Sequence, residues 1–149
     1  MTREKLLVGR VSLPGFCYHV TICTYRRSPR FTSLRPARIV IDEMKRLDDS
    51  QRVNSVAWVL MPDHLHWLFY LGEKDDLSSV TKLLKGRSAN RINEQEHVQG
   101  PLWQKGFYDH VVRADEDLRC MARYIIANPL RAGLVERVGD YPWWDASWL

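Results

Sequence analysis

Long apolar runs, paired cysteines and internal repeats are all missing from this sequence, and each absence removes a class of protein. No apolar stretch approaches the about twenty residues of a transmembrane helix, so we expect a soluble globular protein without a membrane partner. The three cysteines, Cys17, Cys23 and Cys120, have no CxxC spacing, which argues against a zinc knuckle or a disulfide framework and predicts buried thiols. With 149 residues and no visible boundary, the chain is predicted to be a single domain over residues 1–149, so any binding surface belongs to that fold.

Basic residues outnumber acidic ones only modestly. The chain has 22 Lys and Arg against 18 Asp and Glu, a formal net charge of +4 and a pI near 9.1. Such a surplus is compatible with a nucleic-acid partner but does not demonstrate one. The opening MTREKLLVGR has charges but no apolar core and no small-residue cleavage site, unlike a signal peptide. We therefore expect a cytoplasmic location, associated with the nucleoid if the partner is DNA.

The spacing of apolar residues predicts the secondary structure. Strands are predicted at 16–25, 53–60, 64–71 and 107–113, the second and third forming a hairpin around Met61, Pro62 and Asp63. Helices are predicted from 34 to about 49, at 77–92, and after Asp115, which we expect to cap a third helix that Pro129 interrupts.

This order of elements predicts the fold. Strand, helix, strand, strand, helix, strand and helix is the split βαβ arrangement of a ferredoxin-like α+β domain, an antiparallel sheet with helices on one face. A C-terminal aromatic tail follows the last helix, and we expect it to dock on the body of the domain. Its members are Tyr141, Pro142, Trp143, Trp144 and Trp148.

Two histidines stand two residues apart in the predicted strand MPDHLHWLF. Because successive side chains of a strand point to opposite faces, His64 and His66 project from the same side of the sheet, while Leu65 points the other way. Two imidazole nitrogens then converge on one point, as a metal site requires. An HxH pattern alone is a weak signal, and ordinary structural histidines are an equally acceptable interpretation.

A tyrosine and an asparagine four residues apart in ARYIIANP extend this pattern. If the helix continues through both, Tyr124 and Asn128 share one face, and the amide oxygen could join two histidines at a cation. The tyrosine hydroxyl beside such a cation could attack a phosphodiester. The alternatives are a half-buried structural tyrosine and an asparagine that caps the turn before Pro129.

Together these motifs resemble a known family. The strand with His64, Leu65 and His66, followed by FYDHVVRADEDLRCMARYIIANPLRAGLV, is similar to the REP-associated tyrosine transposases, which are single-tyrosine HUH transposases. The resemblance covers most of the chain, and its specificity comes from several motifs in the same order.

The resemblance implies a site and a reaction. His64, His66 and Asn128 are then metal ligands, although insertion-sequence relatives use a glutamine in place of the asparagine. Tyr124 is the nucleophile that forms a 5′-phosphotyrosine with single-stranded DNA at a repetitive extragenic palindromic hairpin. Tyr108 is the competing tyrosine. Two imidazoles and an amide oxygen suit Mg²⁺ or Mn²⁺.

Basic side chains are the predicted DNA contacts, through salt-dependent binding to phosphates. A solvated surface is an equally acceptable interpretation for any one of them. The predicted residues are Arg26, Arg27, Arg30, Lys82, Lys85, Arg87, Arg91, Lys105 and Arg113.

Two other functions fit parts of the pattern. Ferredoxin-like domains with basic and aromatic surfaces also serve as noncatalytic DNA- or RNA-binding modules, which a domesticated transposase could become. A metal-dependent phosphohydrolase would use a water molecule in place of the tyrosine. The resemblance further implies a monomer that uses its own tyrosine, whereas insertion-sequence relatives are dimers.

Overall fold

The computed structural model describes residues 12–147. Strands are β1 Cys17–Cys23, β2 Val53–Met61, β3 His64–Leu71, β4 Tyr108–Val111 and β5 Trp144–Ala146. Helices are α1 Leu34–Asp49, α2 Leu77–Glu96, α3 Leu118–Ile126 and α4 Asn128–Arg131, with 3-10 turns at Tyr25–Arg27 and Val138–Asp140. The opening segment MTREKLLVGR and Trp148, which entered the predictions above, lie outside the described residues.

One antiparallel sheet contains all five strands, in the order β4-β1-β3-β2-β5. The first four strands have the order of a ferredoxin-like domain, so the predicted α+β fold is confirmed. The hairpin turn between β2 and β3 is Pro62 and Asp63, two residues where the sequence suggested three.

The two long helices cover one face of the sheet, as predicted. Alternate residues of β3 point into this face, where Leu65, Trp67 and Phe69 have no exposed surface. They belong to the main core together with apolar residues of α1 and α2 such as Val40 and Leu84. We call this side of the sheet the helix face.

The opposite face carries the short helix α3. Ala122, Ile125 and Ile126 recur at helical spacing and pack in a second buried cluster with Val59 and Leu68 of the sheet. The sequence predicted that this helix packs inward but placed the helices together on one face. We call this second side, which also carries His64 and His66, the histidine face.

The aromatic tail docks on the domain, as predicted. Residues 144–146 form the edge strand β5 beside β2, and Tyr141 is buried with its hydroxyl donating to the Leu60 carbonyl at 2.5 Å. Burial raises the pKa of Tyr141 to about 12. The tail therefore completes the sheet next to the β2–β3 hairpin.

Two local predictions were wrong. Helix α3 is capped by Asp117, whose carboxylate accepts from the backbone of Arg119 and Cys120, and not by Asp115. Cys17 and Cys23 are buried, but Cys120 is exposed because it lies on the side of α3 that faces away from Ile125. Among residues 12–147, no helix has the length and apolar character needed to cross a membrane.

Candidate active site

The histidine face brings His64 and His66 together in the middle of the sheet, as strand alternation predicts. Their ring centroids are 4.8 Å apart, and the rings are nearly perpendicular, at 84°. In the register of the sheet His66 lies opposite Thr21 of β1 and Val59 of β2. Because β3 has a strand on each side, the backbone below both imidazoles is fixed by hydrogen bonds.

The hairpin turn orients His64. Its Nδ1 lies 2.7 Å from Oδ1 of Asp63, and Arg27 donates through Nε to Oδ2 of the same carboxylate at 3.1 Å. Burial alone would raise the pKa of Asp63, but hydrogen bonds from His64 and Arg27 outweigh it and hold that pKa below its usual value. Nδ1 of His64 is thus engaged by the turn, which leaves Nε2 as the ring nitrogen open to a ligand.

The segment after β1 anchors this turn. Thr24 donates to the Asp63 carbonyl through its backbone nitrogen at 2.9 Å and through its hydroxyl at 3.1 Å. The backbone nitrogen of Phe31 donates to the Pro62 carbonyl at 3.1 Å. The position of the Asp63 carboxylate is therefore fixed by tertiary hydrogen bonds as well as by the hairpin.

A second histidine contact orients His66. Its Nδ1 lies 3.0 Å from Nε2 of His19 and 3.2 Å from the hydroxyl of Thr21, both on β1. Burial is the main reason that the pKa of His66 is lowered to about 3, and positive charge on nearby side chains adds to it. Burial likewise lowers the pKa of His19 to about 4. His66 is thus neutral at physiological pH, with Nε2 turned away from His19.

Two imidazoles on one face, each with its Nδ1 engaged by a neighbouring group, are an arrangement that could hold a divalent cation. Within residues 12–147, no group of three or more His, Cys, Asp or Glu side chains is arranged to hold a metal ion. A third protein ligand among these residues would have to be of another type, and Asn128 is the residue predicted for that role.

The tyrosine predicted as the nucleophile lies on α3, the helix that packs on the histidine face. The Tyr124 side chain is 64% exposed, and the guanidinium of Arg131 lies over its ring, 3.7 Å from the centroid. The same guanidinium is near enough to His66 to contribute to the lowering of its pKa. Arg131 therefore contacts the tyrosine and lies within electrostatic range of His66.

Asn128 lies where the helix changes direction. Helix α3 ends at Ile126 and α4 begins at Asn128, so the interruption that the sequence predicted at Pro129 falls at Ala127. The Asn128 amide nitrogen donates to the Ile125 carbonyl at 2.9 Å, which caps the end of α3. Its amide oxygen is thereby left as an acceptor, so the capping contact and the predicted ligand role use different atoms.

Tyr108, the competing tyrosine, also lies on the histidine face. It pairs with Thr21 in the sheet, and Thr21 pairs with His66, so the three side chains form one row across three strands. Tyr108 is 45% exposed on the edge strand β4. The fold therefore places both candidate tyrosines on this side of the sheet.

The predicted DNA contacts divide between the two sides of the molecule. Arg27 lies at the site through Asp63, and Arg26 stacks on Tyr25 beside it, 5.1 Å from the ring centroid. Lys82 and Arg87 are exposed on α2, which covers the helix face. Lys105 is exposed on the loop between α2 and β4.

Four further predicted contacts are engaged by groups of the same chain. Arg30 donates to Glu96, Lys85 to the Gly106 carbonyl and Arg91 to Asp42 and Glu43, and Arg113 forms ion pairs with Asp115 and Glu116.

Four residues of this site were missed from the sequence. His19, Thr21 and Asp63 contact the histidine pair, and Arg131 contacts Tyr124. Asp63 is next to His64 in the chain, which was an available signal. The alternation of His19 and Thr21 in FCYHVTICTY indicated a shared face, but which strand lies beside β3 is a property of the sheet.

Comparisons with known proteins agree with this arrangement. Residues 12–128 match the model of a family described as "Transposase IS200 like". The chain belongs to this transposase family. Two curated relatives are named REP-associated tyrosine transposase, one from Escherichia coli and one, provisionally, from Haemophilus influenzae.

Both relatives are 33% identical to the chain, over 87 and 99 residues respectively. These matches cover 58% and 60% of this chain and 50% and 56% of the relatives, so the chain spans about half the length of the curated relatives it matches.

Solved structures extend the likeness to the fold. A REP-associated tyrosine transposase bound to a REP hairpin has a TM-score of 0.74 and 26% identity, covering 91% of this chain and 79% of that one. A crystal structure from Deinococcus radiodurans, described provisionally as a transposase, has a TM-score of 0.56 at 24% identity. It covers 80% of this chain and 95% of its own, and shows the fold alone.

Proposed function

We propose that this IS200-like family member cleaves and rejoins single-stranded DNA beside hairpins of the REP type, with Tyr124 as the nucleophile. One observation carries the proposal. The helix that bears Tyr124 packs on the sheet face that bears His64 and His66, and Arg131 contacts the tyrosine while its charge acts on His66. The candidate nucleophile, the Arg131 guanidinium and the two imidazoles thus lie on the same side of the sheet.

The reaction exchanges one phosphodiester for another. The Tyr124 hydroxyl attacks the scissile phosphorus, a bond forms between phosphorus and the phenolic oxygen, and the bond to the 3′ oxygen breaks. The phenolic proton passes to water, and the departing 3′ oxygen takes a proton. The products are a 5′-phosphotyrosine and a free 3′-hydroxyl. A 3′-hydroxyl then attacks the phosphotyrosine and restores the tyrosine, so strands are rejoined without nucleotide hydrolysis.

His64, His66 and Asn128 are the residues that would hold Mg²⁺ or Mn²⁺ for this reaction. The bound cation would polarise the scissile phosphate. Asp63 keeps Nε2 of His64 available, and His19 with Thr21 fixes the ring of His66. These contacts support a preorganised pair of nitrogen ligands.

A DNA hairpin is the proposed partner because a solved relative is bound to a REP hairpin. Arg26, Arg27 and Lys105 supply positive charge on loops near the histidine face or its edge. We propose these three as phosphate contacts. Lys82 and Arg87 lie across the sheet, so a phosphate contact there would belong to a DNA segment away from the scissile bond.

We also propose that the protein acts as a monomer through its own tyrosine. Helix α3 packs on the sheet of the same chain through Ala122, Ile125 and Ile126, which supports action in cis. A mixture of the Tyr124→Phe and His66→Ala proteins tests this proposal. Neither chain has a complete site, so adduct formation by the mixture would contradict it.

The decisive test is detection of the covalent adduct. The protein is incubated with single-stranded hairpin DNA and Mg²⁺ or Mn²⁺, denatured, and analysed for a protein–DNA band. We expect an adduct with the wild type, none with Tyr124→Phe, and undiminished DNA binding by that variant. Tyr108→Phe is the matched control and should still form the adduct.

Other outcomes identify the alternatives. Cleavage without an adduct would indicate a phosphohydrolase, and binding without cleavage would indicate a noncatalytic module. An adduct that survives Tyr124→Phe but disappears with Tyr108→Phe would identify Tyr108, on β4, as the nucleophile.

A further inference from the structure

In the part of the chain that the structure describes, the Tyr124 ring is stacked by one side chain, Arg131. Tyr124 is 64% exposed, so the packing of α3 does not fix the direction of its ring. The guanidinium carbon of Arg131 lies 3.7 Å from the ring centroid, a stacking distance well inside the about 6 Å limit of cation–π attraction. Stacking by a planar group restricts the ring far more than a lysine ammonium would.

The break between α3 and α4 makes this contact possible. Tyr124 and Arg131 are seven positions apart, which is about two turns of helix, and the chain turns at Ala127 without leaving helical backbone angles. The Asn128 amide ties the end of α3 to the start of α4. The relative position of Tyr124 and Arg131 is therefore fixed by the backbone of α3 and α4 as well as by the stacking of their side chains.

Arg131 also differs from Arg27 and Arg113 in its charge partners. Arg27 donates to Asp63, and Arg113 pairs with Asp115 and Glu116. Arg131 is exposed, and the structure of residues 12–147 shows it in no ion pair with a carboxylate. Its N–H donors remain available to a ligand, and the planar fork of a guanidinium matches two oxygens of a phosphate.

Arg131 lies on the side of the sheet that carries the histidine pair. Helix α3, which bears Tyr124, packs on Val59 and Leu68, and Val59 pairs with His66 in the sheet. Arg131 ends the short helix α4 that follows α3 and stacks on the Tyr124 ring. A phosphate that approaches both the tyrosine hydroxyl and the histidines would come within reach of this guanidinium.

We propose that Arg131 aligns the nucleophile with its target, holding the Tyr124 ring by stacking while its N–H groups bind the scissile phosphate. This inference rests on the proposed function. It adds a residue that both orients the tyrosine and touches the substrate. It also assigns a role to the arginine of NPLRAGLV that the basic-residue pattern did not single out.

The test separates alignment from binding. Arg131→Gln removes the charge, Arg131→Lys keeps the charge but removes the planar stack, and Arg46→Gln is the control. Arg46 is an exposed arginine of α1, on the helix face, so its loss changes net charge equally. Single-turnover adduct formation and affinity for a non-cleavable hairpin are measured for each variant, with thermal unfolding to confirm folding.

We expect Arg131→Gln to slow adduct formation about 100-fold or more, as does loss of one donor to a reacting phosphate or oxyanion. Affinity should fall much less than the rate. Arg131→Lys should recover affinity but little of the rate, and Arg46→Gln should match the wild type. Full recovery by lysine, equal losses of rate and affinity, or equal behaviour of Arg131→Gln and Arg46→Gln would each overturn the proposal.

A measurement that does not need activity separates this inference from the proposed function. The aromatic NMR signals of Tyr124, assigned with the Tyr124→Phe protein, should move in Arg131→Gln and stay in place in Arg46→Gln. Absence of any adduct with the wild type would reject the proposed function and the phosphate role together. Unchanged Tyr124 signals in Arg131→Gln would reject the stacking role even if the adduct forms.

Discussion

The two faces of the sheet use the same strand for different purposes. On the helix face, β3 presents Leu65, Trp67 and Phe69, all without exposed surface, beneath helices of 16 and 20 residues. On the histidine face it presents His64 and His66, partly exposed, beside a helix of nine residues. The extensive helix cover on one face stabilises the fold, and the partial cover on the other leaves an open polar surface.

This difference shows how one strand can contribute side chains both to the hydrophobic core and to the candidate active site. Burial of apolar side chains on the helix face supplies most of the stability, at roughly 25 cal/mol per Å² of apolar surface. The histidine face is then free to keep polar groups, provided that each has a partner. His19, Thr21 and Asp63 supply those partners.

Replacement of His66 by alanine should give the largest effect on function. We expect adduct formation to fall more than about 100-fold, since even the outer partners of metal ligands are worth 10–100-fold. The free energy of unfolding should change by about 1 kcal/mol, the value of a typical hydrogen bond. Single-turnover assays and denaturant unfolding measure the two quantities.

His97→Asn is the matched control for this variant. His97 ends α2 with φ 54°, a conformation that asparagine tolerates, and it lies outside the site. If His66→Ala and His97→Asn lose adduct formation equally, the proposal that the histidine face carries the active site would be contradicted.

Replacement of the neighbouring Leu65 by alanine should have the opposite profile. The leucine is fully buried on the helix face, so its truncation should lower the free energy of unfolding by about 2–5 kcal/mol. Adduct formation per folded molecule should stay near the wild-type value because the histidines keep their partners. Denaturant unfolding and an assay well below the melting temperature check this pair of outcomes. A specific loss of activity as large as that of His66→Ala would show that the faces are not separable.

Replacement of Asp63 by asparagine should give the smallest effect of the three. His64 loses the carboxylate that orients it, and Arg27 loses its ion pair, so adduct formation should fall about 10-fold. Stability should change by about 1 kcal/mol or less because the pair is partly exposed. Asp140→Asn, which removes an exposed ion pair with Arg137, is the control for lost surface charge. No difference between the two variants in adduct rate would show that Asp63 does not orient His64.

Most of the fold could be predicted because it follows from local periodicity. The first long helix, the β2–β3 hairpin and the shared side of His64 and His66 all depend on residues within one or two turns or strands of each other. The cap of α3 could not be predicted as firmly, because Asp115 and Asp117 are both acceptable cap residues. The exposure of Cys120 could not be predicted either, because it depends on where α3 begins and on which side of α3 packs against the sheet.

The site was only partly predictable because its two halves are distant in the chain. The amphipathic pattern of α3 indicates that Ile125 is buried, but a pattern does not state against which face of the sheet. The contact of His19 with His66 requires β1 and β3 to be neighbours, and the stacking of Arg131 on Tyr124 requires the turn at Ala127. Each depends on packing between elements.

The sequence by itself determined the paired histidines on one strand face, the buried leucine between them, and the tyrosine on an amphipathic helix. These follow from the two-residue repeat of strands and the 3.6-residue repeat of helices. Only the tertiary structure decided that α3 packs on the histidine face, that β1 supplies His19 and Thr21, and that Arg131 turns back over Tyr124. Local repeats fix which way a side chain points within its element, whereas burial of whole elements against one another decides what it meets.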